Sequence, residues 1–296
     1  MSFTVAPLIP AYKLSSTEVQ NLLDRLPHGY ETPTVIHNDE DQNLSLFLES
    51  LAKNKRINLL SIPFQLGKSE ALRRGLCNVL ETTAADVIIQ VDGDLKQPPE
   101  DIVGIVQRLS ESGAQMVVAN RYGLQDMAGQ VHRVTLSGLV STIIKRITGY
   151  KLADITCGTR GYVRDLGSIF SRKICSFGYG LEIEEILISS LYGFLVDECP
   201  TRANRQADAT NAGKLEDNIF ALIIYANDFD YSLDIRESLH FMLAKIKQRR
   251  SFDLKMQVFG GTGIARFEYM GDSSIPVINS YASGTDIDGY SLSYIS

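Results

Sequence analysis

Several features are missing from this sequence of 296 residues. It has no tryptophan, and its 4 cysteines contain no C-x-x-C pair and have no histidine at zinc-binding spacing. We therefore expect reduced thiols in a cytoplasmic protein, because disulfide frameworks and zinc sites depend on such spacings.

Long hydrophobic runs are also missing. No window of about 18 residues is apolar enough to span a bilayer. The opening Met-Ser-Phe-Thr-Val-Ala-Pro lacks the basic and apolar regions of a signal peptide. We expect a cytoplasmic protein with no transmembrane segment. The basic cluster at 245–250 leaves open a peripheral contact with the inner face of a membrane.

Positive charge is in deficit. The chain has 29 Lys and Arg against 35 Asp and Glu, a formal net charge of -6 at pH 7. This excludes a broad basic face, so we expect no nucleic-acid partner. At 44% hydrophobic and 22% charged residues, the composition is that of a globular protein with one large or two ordinary domains.

The first half contains alternating short strands and amphipathic helices. The β-branched run Val87-Ile88-Ile89-Gln90-Val91 is typical of a central strand covered on both faces. Alternation of this kind predicts an open, mostly parallel α/β sheet with flanking helices. Later helices are predicted at 136–147, 181–192, 215–226 and 233–248. Two alternating runs around 260–263 predict a β-hairpin.

Two aspartates directly follow the predicted central strand, in Asp92-Gly93-Asp94-Leu95-Lys96-Gln97-Pro98-Pro99. Ligands bind at the carboxyl ends of strands in open α/β sheets. Mg²⁺ typically takes one or two carboxylates together with phosphate oxygens. The pair therefore predicts a divalent cation on a diphosphate. The alternative is a polar turn with a helix-capping aspartate.

Five motifs in order resemble the family-2 glycosyltransferases of GT-A (Rossmann-like) fold, nearest to the dolichyl-phosphate mannose and glucose synthase branch. They are Ile9-Pro10-Ala11-Tyr12, Gly67-Lys68-Ser69 with Gly75-Leu76, the Asp92 segment, Ala119-Asn120-Arg121-Tyr122, and Asp154-Ile155-Thr156-Cys157-Gly158-Thr159-Arg160.

This resemblance implies a GT-A catalytic domain over residues 1–214. Accessory helices at 215–250 and a β-rich C-terminal extension at 251–296 would follow it. We expect the extension to serve as a self-association surface, giving a homo-oligomer such as a dimer, or as a lid over the acceptor.

The resemblance also implies a role for each matching residue. The donor would be a nucleotide-diphospho-sugar, GDP- or UDP-linked, with Mg²⁺ or Mn²⁺ on its diphosphate. Metal ligands would be Asp92, Asp94 and Gln97. Further donor-binding residues would be Pro10, Tyr12, Asn38, Asp39, Lys68, Gly93, Arg205 and Lys214. Acceptor-binding residues would be Arg121, Arg133 and Asp154, the last with helix or loop capping as an alternative.

Catalytic roles are implied for Asp94, Glu182 and Glu184. One of the two glutamates could be a general base that removes a proton from an acceptor hydroxyl. An acceptor that is already a phosphate needs no base. The alternative is that these glutamates start a helix, where its dipole favours them. Lys96 stands where the family has glutamine, so Gln97 is assigned as the third ligand instead.

The sequence thus predicts a metal-dependent, inverting glycosyltransferase acting on a lipid phosphate or on a soluble glycan or small molecule. One alternative is a nucleotidyltransferase of related fold, although Pro10-Ala11-Tyr12-Lys13 does not supply the Gly-rich basic loop of that class. The other is a non-catalytic nucleotide-sugar-binding module, an alternative that the Lys96 replacement leaves open. A phosphate-loop NTPase is disfavoured, because Ile62 stands at the first glycine of its motif.

Overall fold

The computed structural model of the chain describes residues 3–62, 66–95, 97–121, 131–176, 178–202 and 212–225, and three short segments at 253–259, 264–270 and 282–283. For 131–139, 212–216, 220 and those three segments, only the backbone is described. The chain divides into two compact units, Met1–Ile246 and Lys247–Ser296.

The first unit is built on a seven-stranded sheet. Its strands are β1 (Val5–Ala11), β2 (Thr34–His37), β3 (Asn58–Ser61), β4 (Val87–Gln90), β5 (Met116–Asn120), β6 (Arg160–Val163) and β7 (Val196–Pro200). Their spatial order is β3-β2-β1-β4-β6-β5-β7. Strand β6 runs antiparallel to β4 and β5, while the other neighbours are parallel. The mostly parallel sheet expected from the sequence is confirmed.

Helices flank this sheet. They are α1 (Ser16–Asp24), α2 (Gln42–Lys53), α3 (Lys68–Thr82), α4 (Ile102–Ser112), α5 (Val131–Thr148), α6 (Arg164–Lys173), α7 (Leu181–Leu191) and α8 (Ala212–Ile224), with a 3-10 turn at Pro99–Asp101. Local sequence explains several starts. Ser15 and Glu18 form a capping box on α1, and the Asp41 carboxylate caps α2.

The central strand lies in the middle of the hydrophobic core. Val87, Ile88 and Ile89 are all fully buried, as expected for a strand covered on both faces. Helix α3 packs closely on the sheet at Gly75, where an added Cβ would overlap the Ile36 side chain. Because α3 approaches so closely, its first residue, Lys68, lies beside the carboxyl end of the sheet.

Two elements were not expected from the sequence, namely strand β6 and helix α6. The segment Arg160-Gly161-Tyr162-Val163 begins with a charged residue and a glycine, both unfavourable signals for a strand. Its arginine is nevertheless fully buried. The predicted helix at 233–248 lies outside the described residues.

The second unit contains an antiparallel sheet. Strands β8 (Asp253–Phe259) and β9 (Ile264–Met270) pair with Val258 opposite Ala265, and β10 (Ala282–Ser283) pairs with β9. The expected hairpin is therefore present in the backbone. In the part of the chain that the structure describes, no helix has the length and apolar character needed to cross a membrane.

Candidate active site at the carboxyl edge of the sheet

The Asp92-Gly93-Asp94 turn directly follows β4. The Asp92 side chain is 25% exposed and Asp94 is exposed, so both carboxylates can be reached from solvent. Gly93 is buried, and a Cβ there would lie 2.6 Å from the Pro10 carbonyl oxygen. Glycine therefore lets the turn pack against the end of β1, which brings Pro10 to the same edge.

Lys68 connects two carboxylates at this edge. Its Nζ lies 2.9 Å from Asp92 Oδ1 and 2.7 Å from Glu182 Oε1. Burial alone would lower the pKa of Lys68, but the charges of Asp92 and Glu182 outweigh it and raise that pKa above its usual value. Burial likewise disfavours the charged form of Asp92, yet the Lys68 charge makes the pKa of Asp92 lower than usual. The ammonium and the Asp92 carboxylate therefore stay charged at neutral pH.

The start of β6 completes the surroundings of Asp92. A Cβ on Gly158 would overlap the Asp92 carboxylate and lie 2.5 Å from Lys68 Nζ. The Gly158 carbonyl accepts from Gln90 Nε2 at 2.9 Å, and Thr159 Oγ1 accepts from the Asp92 N–H at 3.3 Å. Only glycine fits at 158, because the ion pair occupies the position of a side chain.

A buried ion pair fixes the first turn of α7. The Arg160 guanidinium is fully buried, as is its partner Glu185, whose Oε2 lies 3.0 Å from Nη1. The same Nη1 donates to the Glu182 carbonyl at 2.9 Å, and Nε donates to the Cys157 carbonyl at 3.0 Å. Arg160 thus ties the loop before β6 to the backbone of Glu182. Burial raises the pKa of Glu185 to about 7, against the opposing charge of Arg160.

The two candidate catalytic glutamates face different surroundings. The Glu182 side chain is 5% exposed, and its Oε2 is a buried oxygen without a hydrogen-bond partner among the described residues. Glu184 is fully buried and accepts from the backbone N–H groups of Cys175 and Ser176, each at 2.9 Å, and from the Tyr225 hydroxyl at 3.1 Å. The structure brings Glu182 to Lys68 and Asp92, whereas Glu184 binds the loop before α7.

Arg121 and Asp154 meet at the end of β5. Arg121 Nε lies 2.6 Å from Asp154 Oδ2, and Nη2 lies 2.7 Å from Oδ1, which is a bidentate pair. Nη2 also donates to Thr156 Oγ1 at 3.1 Å. Asp154 is fully buried, while the Arg121 side chain is 26% exposed. Two of the three predicted acceptor residues, Arg121 and Asp154, therefore lie together, with the arginine on the solvent side.

On the β1–β2 side, the predicted donor residues are held by the chain itself. Asp39 accepts from the Lys13 N–H at 2.8 Å and lies 2.9 Å from His37 Nε2. Asn38 accepts from the Leu66 N–H at 2.9 Å, which fixes the loop leading to Lys68. Lys13 and His37 were assigned no role from the sequence.

Lys13 also contacts Tyr12, another predicted donor-binding residue. Its Nζ stands 5.1 Å from the centre of the Tyr12 ring, an arrangement typical of a cation–π contact.

Residues 10–169 match the family model described as glycosyl transferase family 2, which is more than half of the 296 residues. The chain belongs to glycosyl transferase family 2. It is therefore a glycosyltransferase, and the fold and the family agree with the expectation from the sequence.

Two solved structures share this glycosyltransferase fold. Glucosyl-3-phosphoglycerate synthase from Mycobacterium tuberculosis, in complex with Mn²⁺, UDP and glucosyl-3-phosphoglycerate, is 18% identical with TM-score 0.56, covering 78% of this chain and 81% of that one. Mannosyl-3-phosphoglycerate synthase from Rubrobacter xylanophilus is 15% identical with TM-score 0.59, covering 92% of this chain and 87% of that one. At these identities the likeness shows the fold.

The carboxylates of this glycosyltransferase fit a divalent cation that also takes ligands from water and from the substrate. No group of three or more His, Cys, Asp or Glu side chains arranged to hold a metal occurs among the described residues. Asp92 and Asp94 offer two carboxylates on one turn. Mg²⁺ is commonly bound by one or two carboxylates plus phosphate oxygens and water, so this pair suffices when a diphosphate supplies the rest.

Gln97 has protein partners at both ends of its amide. Nε2 donates to Thr201 Oγ1 at 3.0 Å, and Oε1 accepts from Cys157 Sγ at 3.1 Å. Gln97, the predicted third metal ligand, thus connects the loop at Cys157 to the end of β7 at Thr201. Arg205 and Lys96 lie outside the described residues, as do the side chains of Arg133 and Lys214.

Proposed function

We propose that this family-2 glycosyltransferase moves a hexosyl group from a nucleotide-diphospho-sugar to a hydroxyl of a soluble acceptor that carries an anionic group. One observation carries the proposal. Lys68 joins the carboxylate that follows β4 to the carboxylate that starts α7, at the sheet edge where ligands bind in open α/β sheets.

On the donor side, Asp92 and Asp94 would hold Mg²⁺ or Mn²⁺. When bound there, such an ion acts as a Lewis acid toward the leaving diphosphate. The family-2 motifs add Arg205 and Lys214 on the diphosphate, with Tyr12, Asn38 and Asp39 around the nucleoside. UDP is the nucleotide that we favour, since the similar synthase from Mycobacterium tuberculosis is described with UDP and Mn²⁺.

On the acceptor side, Arg121 is the cation exposed beside the buried Asp154. An arginine suits a carboxylate or phosphate of the acceptor, because it is always charged and carries five N–H donors. The similar synthase is also described with phosphoglyceric acid, an acceptor of this chemistry. The alternative acceptor is a lipid phosphate, as in the dolichyl-phosphate branch, and the test must distinguish it from a soluble anionic acceptor.

For the transfer itself we propose inversion with Glu182 as the general base. Its Oε2 has no hydrogen-bond partner among the described residues, so it is the oxygen that we assign to accept the proton of an acceptor hydroxyl. That hydroxyl oxygen then forms a bond to C1 of the sugar, and the bond from C1 to the diphosphate breaks. The products are the glycoside and the nucleoside diphosphate, with the proton on Glu182. Glu184 would act only by holding the loop before α7.

The test is a panel of UDP-, GDP-, CDP- and dTDP-sugars, each with and without Mn²⁺. A ligand that binds only the folded state raises the melting temperature. We expect a metal-dependent rise with a UDP-sugar in the wild type and none in Asp94→Asn. No rise with any donor would contradict the proposal.

The acceptor and the stereochemistry need a second experiment. Phosphoglycerate, a simple glycan and a polyprenyl phosphate in detergent serve as acceptors, and NMR of the product gives the anomeric configuration. Transfer to the polyprenyl phosphate alone would favour the lipid branch, and retention of configuration would contradict the inverting mechanism. Homo-oligomerisation through 251–296 and peripheral membrane contact stay predictions.

A further inference from the structure

The loop between α6 and α7 carries an aromatic side chain to which no role has been assigned. This is Tyr179, which lies shortly before Glu182 and is 37% exposed. Its neighbour Gly180 is buried, and the first turn of α7 that follows is buried as well. Tyr179 is thus an exposed ring on a segment that is otherwise packed into the protein.

Helix α8 fixes this loop from one side. The Tyr179 N–H donates to Asp217 Oδ2 at 2.8 Å. A Cβ on Gly178 would overlap the Asp217 carboxylate, and a Cβ on Gly180 would lie 2.9 Å from the Asp217 carbonyl oxygen. The glycines on both sides of Tyr179 are therefore required by the close approach of α8, and they leave the loop little freedom.

Helix α3 fixes the loop from the other side. Ser69, which is fully buried and directly follows Lys68, donates through Oγ to the Gly178 carbonyl at 2.8 Å. Its Oγ also lies 3.0 Å from Ser176 Oγ. The backbone of Tyr179 is consequently held between the first turn of α3 and α8, which fixes the point from which its side chain extends.

Tyr179 lies beside the Lys68–Glu182 pair. It stands three positions before Glu182, and its neighbour Gly178 accepts a hydrogen bond from Ser69, which directly follows Lys68. Burial raises the pKa of the Tyr179 hydroxyl, and the charges of Lys68 and Glu182 act on that pKa in opposite directions. The exposed ring therefore belongs to the side of the site where the loop before α7 meets the first turn of α3.

We propose that Tyr179 is a donor-binding residue, which contacts the nucleoside diphosphate from the loop before α7. This inference rests on the proposed function. A side chain on a backbone that is already held costs less ordering entropy when a ligand binds, and stacking on an aromatic side chain tolerates different bases. Tyr179 would thus join Tyr12, the tyrosine proposed for the nucleoside at the end of β1.

The absence of tryptophan supplies a direct test. In Tyr179→Trp the introduced indole is the only one in the chain, so its emission reports on that position alone. We expect the emission to change on titration with UDP or GDP in the presence of Mn²⁺, saturating at the nucleotide concentration found by calorimetry. The control is Tyr192→Trp, at the far end of α7 and 48% exposed, whose emission should not change.

Calorimetry on the wild type separates failure of this inference from failure of the proposed function. If the wild type binds neither nucleotide, the proposed function fails and this inference with it. If the wild type binds UDP or GDP, Tyr179→Ala should weaken binding about tenfold, whereas Tyr179→Phe should keep most of the affinity. An unchanged emission from Tyr179→Trp with an unchanged affinity of Tyr179→Ala would overturn the inference.

Discussion

Lys68 Nζ lies 2.7 Å from Glu182 Oε1, although 114 positions of sequence separate the two residues. The same ammonium binds Asp92 at 2.9 Å. One cation therefore balances the proposed metal ligand and the proposed general base, and neither carboxylate has to be buried without an opposite charge. The donor side and the acceptor side of the site are electrostatically linked through this lysine.

Lys68→Met should strongly destabilise the fold. It leaves the charges of Asp92 and Glu182 without the ammonium, and removal of one partner from a buried ion pair costs about 3–5 kcal/mol. The free energy of unfolding from urea titration measures this loss. Lys53→Met, at an exposed position on α2, is the control and should change little. Equal stabilities of the two variants would contradict the bridging role.

Gly158→Ala should abolish sugar transfer, because its Cβ would displace the Asp92–Lys68 ion pair. We expect the Mn²⁺-dependent rise in melting temperature to disappear along with turnover. Gly193→Ala is a useful control, because Gly193 has φ of +74° and open space around it. That variant should lose about 1 kcal/mol of stability through backbone strain and keep its activity. A Gly158→Ala protein that transfers sugar normally would refute the proposed arrangement.

Glu185 should make stability depend on pH. Its pKa is raised from 4.5 to about 7 in the folded state, so the folded protein holds a proton that the unfolded chain releases. The resulting stabilisation is complete below pH 4.5 and is lost as the pH rises through about 7. At about 1.4 kcal/mol for each pKa unit, the loss is up to about 3 kcal/mol.

The measurement is the free energy of unfolding from pH 5 to 8 for the wild type and for Glu185→Gln. The free energy of unfolding of the wild type minus that of Glu185→Gln should fall as the pH rises. Glu81→Gln, on the exposed end of α3, should give a flat difference. A difference that rises with pH would show that Arg160 keeps Glu185 ionised.

Glu182→Gln and Glu184→Gln should fail in different ways. Loss of the general base should lower kcat at least about hundredfold in Glu182→Gln. The loss of stability should be smaller than in Lys68→Met, because Lys68 keeps its ion pair with Asp92. In Glu184→Gln an amide would meet the N–H donors of Cys175 and Ser176, which costs about 1–3 kcal/mol of stability. Steady-state kinetics and thermal denaturation of both variants measure the contrast.

Tyr225→Phe is the companion to Glu184→Gln. It removes one hydrogen bond to the Glu184 carboxylate without touching the carboxylate itself. We expect a smaller loss of stability in the same direction. If Glu184→Gln instead lost kcat at unchanged stability, Glu184 would be the general base.

Arg121→Lys should weaken both the fold and acceptor binding. A lysine cannot donate to both oxygens of the buried Asp154, and loss of one charged hydrogen bond costs about 2 kcal/mol. The KM for the acceptor should rise while the KM for the donor stays unchanged. Arg108→Lys, in the exposed pair with Asp197, is the control and should behave as the wild type. A donor KM that rose instead would place Arg121 on the nucleotide.

Much of the sheet was predictable because strand and helix periodicity are local signals. The apolar run at 87–91 specified β4, and the polar residues after it specified the edge where Asp92 lies. Strand β6 was not predictable in the same way. Its Arg160 looks like a surface residue until Glu185 and the carbonyls of the 155–157 loop come together around it.

The two glutamates of α7 illustrate what the motifs alone left open. Residues two apart on a helix point in widely different directions, at about 100° per residue, so Glu182 and Glu184 face different surroundings. Which of them faces the site depends on the position of Lys68, which is fixed by the packing of α3 on the sheet. The role of Tyr179 depends equally on distant partners, Asp217 and Ser69.

The reversed strand β6 has a consequence for how this enzyme can change. Its neighbours β4 and β5 bring their carboxyl ends to the site edge, whereas β6 enters the sheet there and brings the segment from Asp154 to Thr159 with it. The proposed metal ligands follow a strand that leaves the sheet, whereas the proposed acceptor residue Asp154 lies on the segment that arrives. Acceptor preference can therefore evolve through the arriving segment while the nucleotide half of the site stays as it is.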